Sequence, residues 1–221
     1  MKNDQKEKWD KLATKNPMYY IYSSYGKQIT EKQFDDSGID DYKKYIKDDL
    51  FINMKLGDFS KLIALDFGCG AGRILKPMAN DFKTVIGADL SEEMIKLAQT
   101  RMIANRNVFF LELDDSTIKV KDKMIDFVFS YTVFQHIKSL DELMRIMINI
   151  HFIMKSGGVF KFNMVTPRST EEYMEIEEEK KWWGGIRLSH KAIEDMIRTV
   201  GFKDFNIDYI DNRSYWVKVE K

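Results

Sequence analysis

A chain of 221 residues, 44% of them hydrophobic, is long enough for one well-buried core with a small appended segment. Lysine plus arginine and aspartate plus glutamate both number 35, so the formal net charge is zero. That balance gives no electrostatic reason to expect nucleic acid or an anionic membrane as the main partner. The single cysteine, Cys69, excludes an intrachain disulfide, and the charged start MKNDQKEKWDKLATKN lacks the apolar stretch of a signal peptide. No run reaches the roughly 18 apolar residues of a membrane-spanning helix, so the expectation is a soluble cytoplasmic protein.

In chain order, Trp9, Leu12 and Ala13 fit one helical face, stopped at Asn16-Pro17. Tyr19, Tyr20, Tyr22 and Tyr25 follow, readable as an aromatic lid or as packing for a cap helix. A second amphipathic helix is expected from about Asp40 to Lys55, its apolar set being Tyr42, Tyr45, Ile46, Leu50 and Met54, with Gly57 as its stop. Residues 1–58 differ in texture from the rest and read as a helical cap segment; residues 59–221 read as the core of a single domain.

From Lys61 the pattern alternates. Strands are expected at Leu62–Phe67, Thr84–Ala88, Val108–Leu113, Ile125–Tyr131 and Val159–Val165. Between them Met94, Leu97, Ala98 and Met102 share a helical face capped by Ser91. Leu143, Ile146, Met147, Ile150 and Met154 share another, with Ser139 to Glu142 as a capping box and Gly157 as the stop. Ile193, Met196, Ile197 and Val200 make a third face between Ser189 and Gly201. Pro77 predicts a late start or a kink in the first core helix. Two closing strands, Phe205–Ile210 and Tyr215–Val219, flank Asp211-Asn212 as a hairpin. Strands alternating with helices imply a mostly parallel α/β sheet with helices on both faces, binding its ligand beyond the carboxyl ends of the strands.

At the end of the first such strand stands Asp66-Phe-Gly68-Cys-Gly70-Ala-Gly72-Arg73. Alternate glycines let the backbone turn tightly and approach a ligand. The dinucleotide fingerprint needs its third glycine one residue later, where Arg73 stands, and a P-loop needs a lysine that is missing. Asp89 ends the second strand, where a carboxylate can accept both hydroxyls of a ribose; it also reads as a plain helix-start carboxylate beside Ser91. Asp114 and Asp115 follow the third strand, placed either for an adenine amine or as turn formers.

With these residues in place the chain resembles the class I S-adenosylmethionine-dependent methyltransferases. Asp66 to Gly72 is similar to the family's first motif, Asp89 in GADLSEEMIKLA to its ribose-binding acid, and Asp114, or Asp115 in the other register, to its adenine-side acid. IDFVFSYTVFQHI looks like the segment lining the methionine end of the cofactor, and MKSGGVFKFN like the glycine turn before strand five. The resemblance implies a Rossmann-like seven-stranded sheet, ordered 3-2-1-4-5-7-6 with strand 7 antiparallel. It implies S-adenosylmethionine as cofactor, S-adenosylhomocysteine as product, and cofactor contacts at Asp66, Gly68, Cys69, Gly70, Gly72, Asp89, Leu90, Asp114, Asp115 and Tyr131. The expected activity is in-line methyl transfer to a small-molecule acceptor. The competing readings are a non-catalytic module of the same fold, which binds cofactor or a partner, and an NAD-dependent dehydrogenase.

His136, after the fourth strand, is the candidate general base, since imidazole exchanges a proton near neutral pH; capping or backbone bonding is the plainer alternative. His151 and His190 read as structural, and three scattered histidines with one cysteine make no metal cluster. Cys69 reads as a small side chain tucked under the loop rather than a nucleophile. The glutamate-rich run Glu171–Lys181 reads as a solvated face, and Trp182-Trp183-Gly184-Gly185 as a pocket cover or an anchor.

Overall fold

The computed structural model describes residues 2–114, 118–167, 173–174, 184–211 and 214–221. The chain divides into two compact units, Met1–Lys119 and Val120–Lys221.

The first unit opens with four helices, α1 (Lys2–Lys15), α2 (Pro17–Ile21), α3 (Glu31–Tyr42) and α4 (Leu50–Leu56). Then come β1 (Ile63–Phe67), α5 (Leu75–Asp81), β2 (Thr84–Asp89), α6 (Glu92–Arg101) and β3 (Val108–Glu112). The stop at Asn16-Pro17 holds: Asn16 caps α2 and Pro17 takes its first position, where a missing N–H costs nothing. Helix α5 begins late, at Leu75, with Pro77 in its first turn as expected. Strands β1, β2 and β3 pair in parallel, Asp66 lying opposite Gly87 and Asp89 opposite Glu112.

The single helix expected from Asp40 to Lys55 is a correction. A π-turn at Lys43–Lys47 interrupts it, and Asp49 starts α4 afresh by accepting the Ile52 N–H at 3.1 Å. The break rotates the helical phase. Ile52 is buried in place of Leu50 and Met54, which are 78% and 85% exposed. Gly57 does stop this helix.

The second unit contains β4 (Ile125–Ser130), α7 (Leu140–Ile153), β5 (Met154–Val165), β6 (Tyr173–Met174), β7 (Arg187–Leu188), α8 (His190–Val200), β8 (Phe205–Asp211) and β9 (Ser214–Glu220). Ser139 and Ser189 cap their helices, and Gly201 ends α8 in the left-handed conformation. Gly157 does not stop α7. The helix ends at Ile153 and passes directly into β5, where Gly157, at φ +77°, sits inside a break in the β4–β5 register. Lys155 bonds Asp126 there at 2.7 Å, and the Gly157 N–H donates to the Lys221 carbonyl. Those partners lie far along the chain, so no local signal marks the break. Asp211, expected in the hairpin turn, extends β8 instead.

The seven long strands run in the order β3-β2-β1-β4-β5-β9-β8, with β9 antiparallel to both neighbours. Among the described residues the two-residue strands β6 and β7 form a separate pair. With those set aside, this is the expected order 3-2-1-4-5-7-6. Among the described residues no helix is long and apolar enough to cross a membrane.

Candidate cofactor site

Beyond β1 the chain enters its glycine loop with Gly68, Gly70 and Gly72 at φ +80°, +52° and +83°. All three lie where a side chain strains the backbone, so the glycines serve conformation first. The N–H groups of Gly68 and Cys69 both donate to the Ala88 carbonyl, at 2.7 and 3.0 Å. The Gly70 N–H donates to the Asp89 carboxylate at 2.8 Å. The loop is therefore pinned against the carboxyl end of β2.

Asp89 stands at the centre of this arrangement. Its second oxygen accepts the Ser91 N–H at 2.9 Å. The helix-start reading of this residue is thus part of the geometry, and so is its register with the glycines. Burial raises its pKa, while N–H groups of Ser91, Gly70 and Leu90 pull the other way. Three donors leave at least one of a carboxylate's roughly four acceptor positions for a hydroxyl. Leu113 donates its N–H to the Asp89 carbonyl at 2.8 Å, so the end of β3 also meets this point.

Asp66 is buried beneath the loop at 3% exposure. Burial pushes its pKa up to about 7, Arg73 opposes that rise, and the Asp89 charge adds to it. Cys69 is buried too, and burial with the two neighbouring carboxylates raises its thiol well above the ordinary range. A thiol held protonated is a poor nucleophile, in keeping with a packing role.

Arg73, noted in the sequence only for the glycine it replaces, anchors the loop. Its guanidinium pairs with Asp41 at 2.7 Å, donates to the Ser37 carbonyl at 3.0 Å and lies over the Tyr22 ring at 4.6 Å. Gly38 makes room for it, because a Cβ there would fall 2.2 Å from the Arg73 carbonyl oxygen. Ile21 reaches Gly70 in the same way: a Cβ on Gly70 would meet its Cδ1 at 2.9 Å. Tyr22 packs beside Ile21 in a cluster around Ala13, Phe34, Ala71 and Met94. Tyr25 stays 49% exposed. A second anchor, also absent from the sequence reading, is Asp10 of α1. It accepts the Ser91 hydroxyl at 2.6 Å and the Glu93 N–H at 3.3 Å, reinforcing the start of α6.

The structure thus brings Asp66, Gly68, Cys69, Gly70, Gly72, Asp89 and Leu90 together. Asp114 is exposed and pairs with Lys119 at 3.2 Å. Asp115, Trp182 and Trp183 lie outside the described residues, as does most of Glu171–Lys181.

In the second unit, half-buried Tyr131 stacks on Trp216 with ring centroids 5.1 Å apart. His136 closes a single 3-10 turn, Phe134–His136, and is buried, with its Nε2 3.2 Å from the Gln135 amide nitrogen. His151 packs edge-on against Phe202, and His190 lies 3.3 Å from Glu194, both in structural settings.

This is a mostly parallel α/β sheet with a glycine loop at the carboxyl end of its first strand. A family model described as a methyltransferase domain matches residues 65–162. A malonyl-[acyl-carrier protein] O-methyltransferase of Hamiltonella defensa is 30% identical over 127 residues, 56% of this chain and 47% of that protein. A ubiquinone biosynthesis O-methyltransferase of Sinorhizobium fredii is 30% identical over 97 residues, 43% of this chain and 38% of its own length. The solved DhpI–SAH complex shares the fold at a TM-score of 0.66 with 16% identity, covering 99% of this chain and 96% of that one. Residues 65–162 thus match a methyltransferase domain, and the chain shares the fold of solved S-adenosylmethionine-dependent methyltransferases. It spans between 47% and 64% of the length of three of the curated relatives it matches.

Proposed function

We propose that this chain transfers a methyl group from S-adenosylmethionine to a small-molecule acceptor. The observation that carries the reading is the pinned loop: Gly68 and Cys69 on the Ala88 carbonyl, Gly70 on the Asp89 carboxylate. The remaining acceptor capacity of Asp89 suits a ribose hydroxyl, and the glycine backbone suits close approach of a ligand. When bound, the cofactor supplies a methyl group already activated on a sulfonium. The protein's task is then alignment, which supplies about 7–11 kcal/mol in well-oriented reactions. Asp66, Leu90 and Tyr131 complete the cofactor set, with Asp114 or Asp115 on the adenine side. Residues 1–58 form the cap, which contributes Ile21 and Tyr22 to the loop.

Oxygen is the first acceptor atom to assay, because the two curated relatives above are named O-methyltransferases. His136 is the proposed general base for such a hydroxyl. Titration calorimetry tests the cofactor: saturable heat with S-adenosylmethionine and none with NAD is expected. The reverse pattern would make this a dehydrogenase, and binding without S-adenosylhomocysteine release across acceptor classes would make it a binding module. His136→Ala should lower turnover about 100-fold and remove the acid limb of the pH–rate profile. Near-normal turnover at every pH would dismiss it as a base.

A further inference from the structure

The turn that follows β4 is built against backbone preference. Thr132 sits at φ +60°, a conformation that β-branched residues rarely adopt. Its N–H donates to the Asn163 side-chain oxygen at 2.6 Å, and its hydroxyl donates to the Tyr131 carbonyl at 2.7 Å. Asn163 stands inside β5, between Phe162 and Met164, at 6% exposure. Asparagine is a poor strand residue, so a buried one inside β5 calls for a reason. Its evident use is the acceptor it offers Thr132.

The far end of the same turn is fixed as well. Phe134 seats edge-on against Phe160 and Phe162, with ring centroids 6.1 and 5.2 Å away. The Ile186 N–H donates to the Ile137 carbonyl at 2.7 Å. A Cβ on Gly185 would fall 2.3 Å from the Ile137 oxygen and 2.7 Å from the Gln135 oxygen, so only glycine lets the backbone come this close. The residues between these two fixed ends include His136, and Tyr131 directly precedes the strained position.

We infer that Asn163 is a positioning residue for methyl transfer: its side chain holds Thr132 in the left-handed conformation and thereby sets the direction of Tyr131 and His136. Asn163 acts through the Thr132 N–H and not on the reactants. Without that acceptor threonine returns to an ordinary backbone conformation, and the turn swings with it. Glycine at position 132 has no such preference and needs no clamp. The geometry stands by itself; the consequence for catalysis rests on the methyltransferase reading above.

The test pairs hydrogen exchange across residues 131–137 with calorimetric titration of S-adenosylhomocysteine. Asn163→Ala should speed exchange in this segment at least tenfold and weaken S-adenosylhomocysteine at least fivefold. Asn163→Asp, which keeps an acceptor, should stay within about twofold of wild type in exchange. The double variant Thr132→Gly/Asn163→Ala should recover most of both losses. Unchanged exchange in Asn163→Ala, or a double variant as loose as the single, overturns the inference. If Asn163→Ala does not fold, a folded double variant supports the clamp, and a second unfolded protein overturns it. A wild type that does not bind S-adenosylhomocysteine removes the methyltransferase reading, while the exchange data still decide the clamp.

Discussion

One turn leaves β1 and another leaves β4, and they solve the same conformational problem differently. The turn after β1 needs three residues in the left-handed region and uses glycine at each. The turn after β4 needs one such residue, uses threonine, and holds it with a side chain from the neighbouring strand. A glycine turn carries no local strain, so its position must come from outside. Here Ala88, Asp89 and the Arg73–Asp41 pair supply it. A strained turn concentrates its dependence in one acceptor. The first turn should therefore fail through its remote anchors, and the second through Asn163.

The largest effect should come from breaking the buried anchor of the first turn. Asp41→Ala leaves the Arg73 guanidinium buried without its carboxylate, which costs about 3–5 kcal/mol in comparable sites. Urea denaturation should show a loss toward the lower figure, because Asp41 keeps 14% exposure. A loss below about 1 kcal/mol would mean that the arginine's other partners, Ser37 and Tyr22 among them, hold it without Asp41.

Next in size is a pH effect from Asp66. Its carboxyl titrates at about 7 in the folded chain, against an ordinary 3.8. The unfolded chain thus ionises first as pH rises. The favourable contribution is full below about 3.8, falls away through about 7 and is gone above it. Ligand-free protein should melt on the order of 5 °C lower at pH 8 than at pH 5 from this group. Asp66→Asn should shrink that difference, and an unaltered difference would reject the assignment. Asp89, also raised by burial, keeps part of the slope.

The first turn was legible in the sequence where its logic is local or periodic. Three alternate glycines and an aspartate at the next strand end can be read along the chain, as can serine caps that bond their own helix at Ser91, Ser139 and Ser189. The anchors were not legible. Arg73 meets Asp41 across 32 positions and Asn163 meets Thr132 across 31, and no periodicity links such pairs. The one available signal was an asparagine in the strand VFKFNMV, where propensity disfavours it. The errors share this cause. The helix expected over Asp40–Lys55 and the stop expected at Gly157 extend a local pattern through places where other contacts reset it.

On the proposed function Asp89 is a charge-assisted acceptor for the ribose, so Asp89→Ala should weaken S-adenosylmethionine by about 1.5–3 kcal/mol. The Gly70 N–H loses its partner as well, so a part of the effect should appear as loop exchange before any ligand is added. Equal affinity in the variant would place the ribose elsewhere.

The smallest effects give the sharpest form of the comparison. Gly70→Ala places a Cβ at φ +52° and 2.9 Å from Ile21, whose flexible tip can give way. The expected cost is about 1–2 kcal/mol, mostly backbone strain. Thr132→Gly is the mirror experiment. It relieves strain in the folded turn but frees the unfolded chain, and these terms oppose each other at similar size. Its net change in denaturation should stay within about 1 kcal/mol of zero. If Thr132→Gly instead destabilised as much as Gly70→Ala, the threonine would be held by its own packing. The contrast between a turn made of glycine and a turn made by a clamp would then collapse.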